Sequence, residues 1–305
     1  MARIVVIGSS NIDLIASVSS LPKPGETIGN GRFSQANGGK GANQAVAAAR
    51  LGGDVLFVTC VGEDMNGRML EKQFASDGIH TSHMKFEKEA PTGTALIFVA
   101  DDGENCIAVA PGANNCLLPS DIEKVAEEIR KAEYVLLQQE IPVETVEKAV
   151  EIASAGGVKV VLNPAPMRPV ADSVLSDLFL ITPNETEAEK LTGVRIETAG
   201  DAEKASAILL DKGVKNVIVT LGSNGSVLCN AEGTVSVPAR KVKAVDTTAA
   251  GDVYNGALVA ALSEGCTITE AMRFATVSSS ISVTRAGAQP SVPFRTEVDE
   301  MMNNL

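Results

Sequence analysis

The sequence predicts a doubly wound α/β fold: a mostly parallel central sheet with helices on both faces, plus a small β-lid. Three observations carry this. Short, near-continuous β-branched runs alternate with helical patterns along most of the chain, as expected of parallel strands buried on both faces. The chain has 305 residues, 45% apolar and 21% charged, and surface scaling takes roughly three quarters of the unfolded surface out of water, enough for a large core. Two stretches, one polar and one a candidate hairpin, interrupt the alternation and account for the lid. A single domain over residues 1–305 accommodates the whole pattern.

In order, residues 3–7 (RIVVI) read as a buried strand, 42–51 (ANQAVAAARL) as a helix of small residues, 55–60 as a strand and 66–77 as a helix. Ser120-x-x-Glu123 reads as a capping box opening a helix that runs to about Lys131. Residues 134–138, 159–162, 178–182 and 216–221 are further apolar strands, separated by helices such as 143–155 and 201–212. A long apolar helix covers 250–262. The interruptions are the polar stretch near 11–33, with Pro22 and Pro24, and 92–110, two strands joined by the hairpin signal Asp101-Asp102-Gly103. Together, residues 11–34 and 92–112 are expected to build the lid over one edge of the main sheet.

Acidic residues number 38 and basic residues 26, a net charge of −12. That excludes the long-range field used for sequence-independent nucleic-acid binding and disfavours an anionic membrane surface. No run approaches the ~18 apolar residues of a membrane span. Cys60, Cys106, Cys116, Cys229 and Cys266 are odd in number and scattered, which reads as reduced thiols in a cytoplasmic protein. His80 and His83 have no third ligand nearby and read as a surface feature, so neither a zinc site nor an acyl-transfer triad is expected. Gly8-Ser9-Ser10-Asn11 after the first strand is not a dinucleotide fingerprint.

Four constellations carry chemistry. Asn37-Gly38-Gly39-Lys40-Gly41-Ala42-Asn43 runs into a helix, where glycines let backbone approach a ligand and the helix N-terminus favours negative charge; a plain strand-to-helix turn explains it equally well. In Asp246-Thr247-Thr248-Ala249-Ala250-Gly251-Asp252, small residues open the long apolar helix. Free amides of Ala249, Ala250 and Gly251 would form an anion hole suited to a migrating phosphoryl group, while Asp252 is either a proton acceptor or a dipole-stabilised cap. Thr220-Leu221-Gly222-Ser223-Asn224-Gly225 follows a strand and is either a ligand loop or a β-turn. Asn184 and Glu187, three apart at a helix start, either reach a metal–phosphate complex or cap the helix.

With Gly8 to Asp13, Asn163-Pro164-Ala165-Pro166 and Gly287-Ala288-Gln289-Pro290-Ser291 added, these pieces resemble, in order, the motifs of the ribokinase-like family of carbohydrate kinases. The resemblance covers essentially the whole chain. It departs at Ala249, where most members carry Gly, and at Val253-Tyr254, where Thr-Phe is usual.

The resemblance implies an ATP-dependent sugar kinase with Asp252 as the base. Its expected acceptor is the 5-hydroxyl of ribose, with deoxyribose, fructose, a nucleoside or a non-catalytic binding role as alternatives. By the same resemblance, Asn11, Ile12, Asp13, the turn Gly39, Lys40, Gly41, Ala42, Asn43, and Glu140 hold the sugar. Asn184, Thr220, Leu221, Gly222, Ser223, Asn224, Gly225, Gly251, Asp252 and Thr276 line the nucleotide site. Glu187 organises Mg²⁺ indirectly, and Asp246, Thr248, Ser282, Arg285, Gly287 and Ser291 surround a monovalent cation, K⁺. The lid of the family often joins two copies, so a homodimer is expected.

Overall fold

Strand β1 (Arg3–Ile7) has apolar side chains on both faces, and the fold uses both: Ile4 and Val6 enter one core, Val5 and Ile7 the other. The computed structural model describes residues 3–304. After β1 come β2 (Asn11–Val18), β3 (Arg32–Gly38), α1 (Lys40–Arg50), β4 (Asp54–Val58), β5 (Cys60–Gly62), α2 (Met65–Ser76), β6 (Lys85–Glu87), β7 (Gly93–Ala100) and β8 (Asn105–Ala110). The middle of the chain holds α3 (Pro119–Lys124), α4 (Ala126–Lys131), β9 (Tyr134–Leu137), α5 (Val143–Ala155), β10 (Lys159–Leu162), α6 (Asp172–Asp177), β11 (Leu180–Ile181), α7 (Glu185–Thr192) and α8 (Ala199–Asp211). Then follow β12 (Asn216–Thr220), β13 (Ser226–Asn230), β14 (Gly233–Val237), α9 (Ala250–Ser263), α10 (Ile268–Ser282) and α11 (Arg295–Asn303).

The main sheet runs β14-β13-β12-β11-β10-β9-β1-β4, parallel from β12 to β4 and antiparallel through β13 and β14. One face packs against α1, α9 and α10, the other against α5 and α8. The doubly wound, mostly parallel architecture is therefore as the apolar runs predict. Ladders are short because each strand ends where its chain must turn into a helix or a site loop.

A second sheet, β3-β2-β7-β8, is built from the two stretches expected to form the lid. Its inner pair is parallel, Asn11 opposite Gly93 and Val18 opposite Ala100, flanked by antiparallel β3 and β8. It extends to Gly38, beyond the expected boundary at 34, and its strand β2 follows β1 after a short loop. The hairpin turns at Asp101-Asp102-Gly103 as expected.

The capping box at Ser120 is not formed. Pro119 takes the first helical position, its ring pre-set for helix, and Asp121 reaches back to accept from the Leu118 amide at 3.1 Å. The helix is also broken at Val125, giving α3 and α4 instead of one helix to Lys131. Helix α8 starts two residues earlier than expected, since Thr198 and Asp201 cap each other's amides.

Candidate active site

The site is built where the chain leaves β3 for α1. Gly39 turns there at φ 89°, and a Cβ on it would lie 2.8 Å from the Asn11 amide nitrogen, so only glycine lets α1 start against the β1–β2 loop. The first amides of α1 are not left open to a ligand. Lys40 donates to Glu140 Oε2 at 2.9 Å, Gly41 to Ser9 Oγ at 3.3 Å and Ala42 to the Ser9 carbonyl at 2.8 Å. Ser9 Oγ in turn donates to Glu140 Oε2 at 2.6 Å, fixing the carboxylate. Ile12 and Ala42, both expected at the sugar, put their side chains into the hydrophobic core instead. Asn11 is buried, its Oδ1 accepting from Asn114 Nδ2 at 2.7 Å, which turns its own NH₂ away from that partner.

Asp252 sits in the first turn of α9 and is only 6% exposed. Its carboxylate faces α1: Asn43 Nδ2 donates to Oδ2 at 3.0 Å and Gln44 Nε2 to Oδ1 at 2.9 Å. Asn43 Oδ1, on the other end of the same amide, is buried without a partner. Lys40 is the cation of this cleft. Asp252 above all, with Glu140 and Glu187, raises its pKa despite the opposing effect of burial. Burial, reinforced by Glu140 and Asp252, pushes the Asp13 carboxyl up to about 6. Burial likewise raises Glu187, with Asp252 adding to it, while the Asn184 amide and Lys40 pull the other way. Asp13, Lys40, Glu140, Glu187 and Asp252, drawn from five separate stretches of chain, thus share one electrostatic neighbourhood.

Ala249 caps α9 at φ 59°, the one non-glycine residue with positive φ among the described residues. The expected hole of Ala249, Ala250 and Gly251 amides needs correction, because the Ala250 amide donates to the Thr247 carbonyl at 3.2 Å. The amides without an acceptor among the described residues are those of Ala249, Gly251 and Asp252, as the left-handed residue folds the first turn back on itself.

Asp246 anchors the approach to this turn, accepting from Thr248 N at 2.9 Å and Gly287 N at 2.8 Å. These bonds outweigh burial and hold its carboxyl below the usual range. Buried Ser282 and Ser291 pair through their hydroxyls at 3.0 Å. Arg285 turns its guanidinium to Glu297, so from this residue only backbone is available to the cluster around Asp246.

Among the residues expected to line the nucleotide site, Asn184 and Glu187 form the capping box that was the alternative reading: Asn184 Oδ1 accepts from the Glu187 amide at 2.8 Å and Glu187 Oε2 from the Asn184 amide at 2.9 Å. Thr220 bonds the Pro183 carbonyl at 3.0 Å, so the loop through Gly222, Ser223, Asn224 and Gly225 lies beside the α7 start. Leu221 is buried in the core and Thr276 is buried with Oγ1 unpartnered. Among the described residues no three His, Cys, Asp or Glu side chains converge as a metal site.

Several side chains here carry no expectation from the sequence: Gln44, Gln138, Thr182, Asn255 and Asn114. A signal existed for one. Gln44 is a polar residue in the otherwise apolar, fully buried run 44–48 of α1, and a buried amide requires partners.

The family model for pfkB family carbohydrate kinases matches residues 1–295. A ribokinase of Haemophilus influenzae is 44% identical over 99% of this chain and 98% of its own length, and a deoxyribokinase of Salmonella typhi 38% identical over 98% of both. A solved structure of Arabidopsis thaliana ribokinase complexed with ribose and ATP superposes with a TM-score of 0.92 at 35% identity, over 99% of this chain and 98% of that one. With its buried aspartate at the head of α9, its glycine turn into α1 and its four-stranded lid, the chain belongs to the pfkB family of carbohydrate kinases.

Proposed function

We propose that this protein transfers the γ-phosphoryl group of ATP to the 5-hydroxyl of ribose, giving ribose 5-phosphate and ADP. The observation that carries the reading is Asp252: a buried carboxylate oriented by Asn43 and Gln44, in the same first helical turn as the unpaired amides. Asp252 takes the hydroxyl proton as the sugar oxygen attacks phosphorus in line and the bond to the β-phosphate oxygen breaks. The amides of Ala249, Gly251 and Asp252 meet the charge on the transferring oxygens, and Lys40 adds a full positive charge. Positioning and electrostatics supply most of the rate in such transfers.

Sugar recognition rests on directional partners. Asp13 and Glu140 accept hydroxyl protons, Asn11 offers its NH₂, and the unpartnered Asn43 Oδ1 accepts another. In the lid register Asp13 shares a face with Ile107 and Val109, both exposed, which would cover the sugar and exclude water. Unpartnered Thr276 Oγ1 and the 220–225 loop support the nucleotide site.

Mg²⁺ neutralises phosphate charge when bound. Glu187 would hold the ion through water, since Mg²⁺ usually keeps several of its waters, and among the described residues no acidic cluster converges to bind it directly. The oxygen-rich turn of Asp246, Thr248, Gly287, Ser282 and Ser291 fits a monovalent cation such as K⁺. Replacing K⁺ by Na⁺ should lower turnover, and equal rates would remove that assignment. The opposite lid face exposes Phe33, Leu96 and Phe98, which supports pairing with a second copy of the chain. Five free cysteines support a cytoplasmic setting.

A second reading, deoxyribose as acceptor, is favoured by the deoxyribokinase likeness. A panel of ribose, deoxyribose, fructose and nucleosides with ATP and coupled ADP detection tests both. The highest kcat/KM on ribose supports the first reading and on deoxyribose the second. A nucleoside preference, or binding without turnover, overturns both.

A further inference from the structure

A chain of buried amides closes around the carboxyl ends of β9, β10 and β11. Gln138, just past β9, donates to Gln44 Oε1 at 2.6 Å. Gln44 spends both Nε2 hydrogens, one on Asp252 Oδ1 at 2.9 Å and one on Asn163 Oδ1 at 3.0 Å. Asn163, just past β10, donates to the Thr182 carbonyl at 3.1 Å, and Thr182, just past β11, donates its hydroxyl to Asn255 Oδ1 at 2.6 Å. Asn255 Nδ2 returns to the Gly251 carbonyl at 2.8 Å. The relay therefore starts on the sheet, passes through α1 and ends on the two residues that hold the anion turn and the base.

We infer that Gln44 is the positioning residue of the base: its fully buried amide, locked at the oxygen by Gln138 and at the nitrogen by Asn163, sets the plane of the Asp252 carboxylate. The inference rests on the kinase reading above and deepens it. Gln44 is 0% exposed and has no access to substrate, so it acts only through Asp252. A primary amide is the residue type this point demands. It gives two donors from one nitrogen, holding two acceptors at a fixed angle, while accepting a third bond. Asn43 alone would leave the carboxylate free to swing about its single bond to Oδ2, and reorientation of a base by even 1 Å is costly in rate.

Charged groups facing Asp252 are Lys40 from α1, Asp13 from β2 and Glu187 from α7. The hydrogen bonds of the Gln44 side chain go to Asp252, Asn163 and Gln138 and to none of these groups, so a change at Gln44 leaves their charges in place while removing a donor to the Asp252 carboxylate. Loss of such a donor favours the protonated form.

The test is steady-state kinetics of Gln44→Met and Gln44→Glu in the full-length enzyme, with kcat followed against pH. Met keeps the length and loses the donors. Glu keeps the shape and adds a second carboxyl that must share a proton with Asp252. Both should lower kcat by at least ~10-fold, short of the ~10²–10⁴-fold typical of losing a base outright, with both KM values changed less than about threefold. The acid limb of the kcat profile should move to higher pH in both. Wild-type kcat, or a fallen kcat with an unmoved acid limb, in either folded variant would overturn the inference. So would failure of both to fold, which would assign Gln44 to stability. A wild-type enzyme without sugar turnover would instead remove the parent kinase reading, separating the two failures.

Discussion

The carboxylate of Asp13 lies directly over the Cα of Gly38: a Cβ on Gly38 would be 2.3 Å from Oδ2 and 2.4 Å from Oδ1. The bare backbone of β3 is thus the floor on which the carboxylate proposed to bind the sugar rests. Gly38→Ala should push that side chain aside, raising the sugar KM by about tenfold or more while kcat falls much less. The obstructing atoms end a flexible side chain, so stability should change by less than ~1 kcal/mol. Sugar titration by calorimetry and thermal unfolding check the two parts. An unchanged sugar affinity would remove Asp13 from the site.

Protonation of Asp13 should be visible in binding. With its carboxyl at about 6 instead of the ordinary 3.8, the ionised acceptor is present above that pH and lost below it. Sugar KM should therefore climb as pH falls from 7 to 5, and Asp13→Asn should show a weaker but flatter profile. Stability runs the opposite way. The folded protein holds this proton more tightly than the unfolded chain, so ionising Asp13 costs stability as pH rises from about 4 to about 6. Wild-type and Asp13→Asn unfolding compared across that window should converge at its acid end.

Asp252→Asn should lower kcat at least ~10²-fold, the range of a lost general base, with KM values near wild type. The amide oxygen can still accept one of the two bonds from Asn43 and Gln44, so the fold should hold. A kcat within tenfold of wild type would show that another group takes the proton.

At Ala249, φ 59° puts a Cβ where backbone favours glycine. Relief of the left-handed penalty, ~1–2 kcal/mol, is offset by the ~0.5–1 kcal/mol entropy of glycine. Ala249→Gly should therefore be slightly stabilising and fully active. Ala249→Val, β-branched, should lose ~1–3 kcal/mol and turnover with it, as the adjacent amides shift. Denaturant unfolding of the two variants distinguishes them, and a Val variant as stable as wild type would contradict the strain at this turn.

Local pattern made the main architecture legible. The runs at residues 3–7, 143–155 and 159–162 form β1, α5 and β10 with the expected ends, since each is a continuous apolar or helical stretch bounded by polar turns. Strands β13 and β14 escaped notice because they are an antiparallel extension at the sheet edge, where β14 is exposed along most of its length and carries no buried run. At the site, Lys40, Asn43 and Asp252 stand in glycine-marked motifs, whereas Glu140 has no such local mark and is expected only from the family resemblance; the structure gathers all four. Gln44 and Asn114 do not announce themselves, for their partners lie 208 and 103 residues away, and no local spacing encodes a bond of that reach. The Ala250 amide shows the converse: its engagement depends on the left-handed turn at Ala249, a backbone state that alanine rarely adopts.

The inner strands of the lid begin at Asn11 and Gly93 and run side by side in the same direction. A hairpin can zip from its own turn, but this pair must close a long loop first, and that entropy must be met before any pairing rewards it. The β2–β7 ladder, and with it the proposed grip on the sugar, is therefore among the late-forming parts of the molecule. During synthesis β2 and β3 emerge long before β7, and until then β2 can pair on one side only. A slow step in the recovery of sugar binding, lagging the recovery of helical structure on refolding, is the kinetic mark this topology should leave.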